Sequence, residues 1–283
     1  MVHPKAGNAT TLPLHLWQND ENLIRSGSRV IAAPNSGRAV GDSNLEALCY
    51  HAAVPLPPKR GKFITIEGLD GCGKTTQLNR LAEALRARGF ETVVTREPGG
   101  TGMGEKVRAV LLDSATSHLS PWSELALMFA SRAQHLEELI LPSLAAGKFV
   151  LCDRFTDSSE AYQGGGRSLG SEPVLELHRI LCHGMQPDLT ILMDSEVSAS
   201  VERARRRNLQ RVAGLGNSGS KEQDENRFEQ EGRAFFDRVH KKYLEIARRE
   251  PQRVFLIEAR RPADIVSVEI LAEVKSRFAI CNF

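Results

Sequence analysis

The sequence predicts an α/β fold, a doubly wound, five-stranded parallel sheet flanked by helices with a smaller lid segment. Three observations predict it. Five short β-compatible runs alternate with longer helical stretches, each run ends in a polar or acidic residue, and a glycine-rich turn joins the first run to the first helix.

Taken in order, Phe63–Glu67 (FITIE) is the first strand, and Lys74–Arg88 is a helix closed by Gly89. Thr92–Thr95 (TVVT) is the second strand, followed by a helix over Gly104–Asp113. Ser120 caps a long helix over Pro121–Ala145, with proline at the first helical position, where its missing N–H costs nothing. Phe149–Asp153 (FVLCD) is the third strand and Ser171–His183 the next helix. The fourth strand is Leu189–Asp194 (LTILMD), with helices over Val197–Asn208 and Asn226–Arg249 after it. Val254–Glu258 (VFLIE) and a helix over Pro262–Phe278 complete the sheet. Alternation of this kind places a binding site at the carboxyl ends of the strands.

Residues 1–60 scatter Pro, Asn, Ser, Gly and Ala without sustained periodicity, so a poorly ordered extension is expected there, ahead of a single domain over 61–283. The extension lacks the apolar core of a secretory signal, and Asp20, Glu21, Asp42 and Glu46 do not suit a transit peptide. With 41% hydrophobic and 25% charged residues, the composition is that of an ordinary globular protein. Lys plus Arg is 37 against 35 for Asp plus Glu, a formal charge of +2 that argues against nucleic acid or a membrane surface as partner. Cys49, Cys72, Cys152, Cys182 and Cys281 form no CxxC pair and read as reduced thiols of a cytoplasmic protein. The eight histidines show no metal-ligand spacing. No run approaches the ~20 apolar residues needed to cross a bilayer.

The strongest motif is GLDGCGKT, which fits GxxxxGK[ST] between a strand and a helix. Its glycines allow the backbone of Gly68, Leu69, Asp70, Gly71, Cys72 and Gly73 to turn inward around phosphate oxygens at a helix N-terminus, whose dipole favours anions. Lys74 then reaches the β- and γ-phosphates of ATP, and the Thr75 hydroxyl sits on Mg²⁺. At the end of the third strand, Asp153 suits a second Mg²⁺ contact and Arg154 a second phosphate, although a capping Asp paired to its own Arg would look the same. The absence of NKxD counts against a guanine-reading GTPase.

GLDGCGKT, TREPGGT (Thr95–Thr101), FASRAQH (Phe129–His135), DRFTDSSEAYQGGGR (Asp153–Arg167) and RARRR (Arg203–Arg207) together resemble bacterial thymidylate kinase in order and spacing, over roughly Gly61–Phe278. The resemblance implies transfer of the ATP γ-phosphoryl to dTMP by a homodimer. It implies that Phe129 stacks on the thymine and Arg132 bonds its exocyclic oxygen, although taken alone Phe129 reads as core and Arg132 as a solvated charge. By the same resemblance Asp70 accepts from the sugar 3′-hydroxyl, Ser159 and Tyr162 touch the thymine edge and crowd the 2′ carbon, and Gln163 lies beside them. Arg96 and Glu97 fall at the acceptor phosphate or its metal.

The resemblance also implies a lid over about 203–226, where five arginines fall between Arg203 and Arg211, and implies that it supplies one of them to the transferring group, Arg205 or Arg207 by motif position. In one branch of the family that arginine lies in the P-loop, at the place occupied here by Gly71. Two alternatives stay open on sequence: a nucleoside monophosphate kinase for another base, and a non-catalytic nucleotide-binding protein.

Overall fold

Strands buried on both faces are predominantly apolar, and the central strand shows it: Phe63, Ile64 and Ile66 of β1 (Lys62–Glu67) are fully buried, and buried Thr65 pairs its hydroxyl with that of Thr190. In the computed structural model, which describes residues 60–114, 118–214 and 227–280, β1 lies between β3 (Phe149–Asp153) and β4 (Leu189–Asp194). β2 (Thr92–Arg96) and β5 (Val254–Glu258) form the edges, giving the order β2-β3-β1-β4-β5 with every pair parallel. Val94 and Leu256, on these edge strands, are exposed. The five strands match the sequence reading to within a residue at either end. The register aligns Ile66 and Arg96 with Asp153, so the loops leaving β1, β2 and β3 emerge side by side.

Helices cover both faces: α1 (Lys74–Arg86), α2 (Gly102–Leu112), α3 (Pro121–His135), α6 (Glu172–Leu181), α7 (Val197–Gly214), α8 (Arg233–Arg249) and α9 (Ala263–Arg277). Thr101 and Ser120 cap α2 and α3 through their hydroxyls. The helix expected over Pro121–Ala145 is continuous but not uniform. A π-helical turn, Leu136–Ile140, separates α3 from α4 (Leu141–Ala145), just before Pro142, which has no N–H to continue the ladder.

Three boundaries depart from expectation. The segment after β3, to which the sequence reading assigns no element, is helical: α5 (Thr156–Ser159) runs into a π-helical stretch, Glu160–Gly166. α7 continues past Asn208 to Gly214, and α8 begins at Arg233 rather than Asn226, behind Gly232 and a short 3₁₀ turn, Phe228–Gln230. The expected extension before residue 60 and lid residues 215–226 lie outside the described residues.

Cys72, Cys152 and Cys182 are buried and unbridged, and burial pushes the Cys182 thiol up to about 12, which leaves it protonated and unreactive. Among the described residues no helix is long and apolar enough to cross a membrane.

Candidate active site

The loop leaving β1 turns on Gly68, Gly71 and Gly73, all at positive φ, a conformation costly for residues with a Cβ. Gly73 opens α1 in the left-handed region with no side-chain cap, which leaves the first N–H groups of the helix available to an anion. Lys74 folds back over the loop: its Nζ donates to Gly68 O at 3.2 Å and Leu69 O at 3.0 Å and stands 3.6 Å from Asp70 Oδ1. The side chains of Leu69 and Cys72 point into the core, so these two positions offer only backbone to a ligand.

This loop forms one wall of a cleft of about 450 Å³ that Asp153, Arg154, Arg132 and Tyr162 also line. The Thr75 hydroxyl donates to Asp153 Oδ2 at 3.2 Å, while Asp153 Oδ1 is buried with no hydrogen-bond partner among the described residues. Arg154 holds a positive φ of 74°, a strained position for a residue with a Cβ. Its guanidinium is fixed from every side, donating to Asp70 Oδ1 at 2.7 Å, Ser158 Oγ at 3.0 Å, Tyr243 OH at 3.1 Å and Tyr162 OH at 3.2 Å. Desolvation alone would raise the Asp70 carboxyl, but the charges of Arg154 and Lys74 outweigh it and hold it well below the usual range. Asp70 is therefore an acceptor at any physiological pH.

Sequence reasoning passed over the layer beneath Arg154. Buried Glu67 accepts from Phe155 N at 2.7 Å, Ser158 Oγ at 2.6 Å and Tyr243 OH at 2.9 Å. Burial, with Asp157 nearby, raises its carboxyl to about 7. An acidic residue ending the mostly apolar central strand was the available signal.

Across the cleft, Glu97 and Arg132 form a buried ion pair at 2.7 Å. Glu97 accepts from His135 Nδ1 at 3.0 Å, and His135 Nε2 meets Thr95 Oγ1 at 2.7 Å, so both ring nitrogens are held by the end of β2 and the residue after it. Desolvation would raise the Glu97 carboxyl, but the Arg132 charge and the His135 hydrogen bond lower it on balance. Arg132 also donates to Phe155 O and Ser159 Oγ through Nη2, leaving Nη1 buried without a partner among the described residues. Gln163 Nε2 donates to Glu124 at 2.8 Å, and its Oε1 is likewise unpartnered.

Arg96 lies at the cleft margin, bonded to Glu105 at 2.9 Å and half exposed. Phe129 is fully buried with the Arg132 guanidinium over its ring at 4.6 Å, next to Met128 and Arg132, which line the cleft from α3. The apolar stripe of α3 turns it into the core, as a phenylalanine at helical spacing does by default.

The arginines of α7 are sorted by their partners. Arg203 Nε donates to Gly71 O at 2.9 Å, docking the helix on the P-loop. Arg205 is spent on the backbone, donating to Glu229 O at 2.9 Å and Glu231 O at 3.0 Å, and it does not line the cleft. Arg207 does line it, 61% exposed and only 3.9 Å from Glu229. A Cβ added at Gly71 would fall inside contact distance of Ser200 O and 2.9 Å from Ala204 N, so α7 and the loop approach as closely as a glycine permits.

A phosphate-gripping loop on one side of the cleft and a lined pocket of buried donors and acceptors on the other define a small-molecule kinase of the P-loop class, built on a parallel α/β sheet. Comparison with known proteins narrows this. Residues 66–270 match the family model described as thymidylate kinase, and the chain belongs to that family. It is 50% identical to the thymidylate kinase of Desulfosudis oleivorans over 210 residues, covering 74% of this chain and 94% of that protein. Identity to the Pseudomonas putida thymidylate kinase is 46% over 204 residues, 72% of this chain and 91% of that protein. The crystal structure of the Ehrlichia chaffeensis thymidylate kinase superposes with a TM-score of 0.58 at 31% identity, covering 76% of this chain and 99% of that one.

Proposed function

We propose that the protein transfers the γ-phosphoryl group of ATP to the phosphate of dTMP, giving dTDP and ADP for dTTP synthesis. One observation carries the reading within this family: the phosphate-binding residues Lys74, Thr75, Asp153 and Arg154 line the same cleft as Arg132 and Gln163, each of which keeps one buried polar atom without a partner among the described residues.

Phosphoryl transfer of this kind needs little covalent help, and the protein's work is alignment and charge. The P-loop N–H groups and Lys74 hold the donor phosphates. Arg154, already clamped by four oxygens, offers a fixed cation between the two anions. Arg96 and Glu97, on the loop after β2, take the acceptor phosphate side. Asp70 receives the sugar 3′-hydroxyl, Arg132 donates to an oxygen of the base, and Ser159 and Gln163 border its edge. Phe129 supports Arg132 from the core. Arg207, on the lid helix, reaches the transferring group.

Thr75 Oγ1 and the Asp153 carboxylate, with Oδ1 unpartnered, are the hard oxygen donors that Mg²⁺ takes. When bound, the ion neutralises charge on the phosphates.

A coupled ADP-release assay across dTMP, dUMP, UMP, dCMP, AMP and GMP tests the activity. dTMP should give the highest kcat/KM, and a higher value with another base would assign the protein to a different kinase. Tyr162 is buried against Phe228, Phe235 and Tyr243 and its hydroxyl is 3.3 Å from Asp70. Tyr162→Ala should lower kcat/KM for dTMP at least ~10-fold and narrow the deoxyribo-to-ribo ratio, since lost packing outweighs the freed space. An unchanged ratio would make Tyr162 a core residue only.

The cytoplasm is the proposed location and a homodimer the proposed state. Exposed Trp122 on α3 and Leu175, Ile180 and Leu181 on α6 supply apolar surface for such an interface. Sedimentation velocity at micromolar concentration decides it.

A further inference from the structure

A buried side-chain amide can face either way, and which end meets the ligand decides what the site reads. Gln163 leaves no such freedom. Its Nε2 donates to Glu124 Oε1 at 2.8 Å, and Glu124 is fully buried between two arginines, Arg227 at 2.7 Å and Arg167 at 3.1 Å. Glu124 accepts from both guanidinium groups, so the donating amide end of Gln163 turns toward it. Gln163 lines the cleft, and its Oε1 is buried without a hydrogen-bond partner among the described residues. Arg132 lines it too, and its Nη1, buried and likewise without a partner among those residues, can only donate.

We propose that Glu124 is a positioning residue for base selection, fixing the Gln163 amide with its carbonyl toward the cleft so that the pocket takes a pyrimidine imide edge and turns away an amino-pyrimidine edge. The proposal rests on the reading of the cleft as a dTMP site. An imide edge carries an N–H for Gln163 Oε1 and a carbonyl for Arg132. A cytosine edge instead sets a ring-nitrogen lone pair against the carbonyl and an amino group against the guanidinium, leaving buried polar groups unpaired on both sides.

Glu124 has a second hold. Arg227, at the return of the lid, binds it and its N bonds Leu112 O at 3.3 Å, while Arg167, which closes the π-helical stretch, binds it and also pairs with Glu231 of the lid's return. The orientation of the base-reading amide is therefore anchored to the root of the lid rather than to the cleft wall alone.

The test measures kcat/KM for dTMP and dCMP on the same preparation of full-length enzyme, so that the ratio is independent of the fraction folded. In Glu124→Gln, the new amide can itself donate, which lets Gln163 reverse. The dTMP:dCMP ratio should narrow at least ~10-fold, mainly through loss with dTMP, while Glu124→Asp, which keeps the carboxylate, should retain most of it. If the single variant does not fold, Glu124→Gln with Arg227→Gln removes a guanidinium along with the carboxylate and carries the same expectation. A ratio unchanged in the Glu124 variants would overturn the proposal and make Glu124 a purely structural anchor. Gln163→Leu separates the premise: if it too leaves the ratio unchanged, the base is not read by Gln163, whereas a narrowed ratio in Gln163→Leu alone rejects only the role of Glu124.

Discussion

Replacing Lys74 with alanine should lower kcat by ~10³-fold or more, while the melting temperature stays within a few degrees of the parent protein. The ammonium is pre-placed by two backbone carbonyls and Asp70, so little is spent on ordering it when phosphate binds. Charge on the transferring oxygens grows toward the transition state, and a cation aimed there acts more on kcat than on ground-state binding. Lys74→Met, which keeps the buried stem and removes the charge, should lose as much activity as alanine. Single-turnover rates and thermal melts of both variants check this, and a variant within about tenfold of the parent would remove Lys74 from the assigned role.

Arg207→Ala should lower kcat at least ~10²-fold with the KM for ATP little changed, as expected of a contact made chiefly in the transition state. Its neighbours should not match it. Arg205 is already bonded to the carbonyls of Glu229 and Glu231, so Arg205→Ala should cost about tenfold or less in kcat and appear instead as a lower melting temperature. Arg207→Lys should recover only part of the loss, because the ammonium lacks the planar fork of the guanidinium. Equal, mild effects at both positions would mean that the charge comes from elsewhere.

Much of this was legible in the sequence, for identifiable reasons. Strands buried on both faces declare themselves as unbroken apolar runs, and GLDGCGKT is tied to a strand end and a helix start by the chemistry of its glycines. What escaped was set by other parts of the chain. The π-helical form of YQGGGR is one such case, with α8 packed against it: a Cβ at Gly166 would stand 2.5 Å from the Phe235 ring and one at Gly165 2.8 Å from Lys242 Cβ. Glycine there serves close approach, not a bend.

Among the site residues, motif position could not separate Arg205 from Arg207, since only the fold shows which one the 229–231 backbone occupies. Phe129 illustrates the converse. Its helical spacing points to the core and the motif to the base, and the structure places it fully buried under the Arg132 guanidinium.

The meeting of α7 with Gly71 has a consequence for how the family's two charge arrangements relate. A loop arginine and a lid arginine look like alternative homes for one cation, exchangeable by a pair of substitutions. In this backbone they are not. Ser200, Arg203 and Ala204 fill the space above Gly71, so a side chain installed there must first lever the lid helix off the loop and break the Arg203 bond to Gly71 O. Gly71→Arg combined with Arg207→Ala would thus forfeit the lid charge while misplacing the loop charge. Passage between the two arrangements has to move a helix before it can move an arginine.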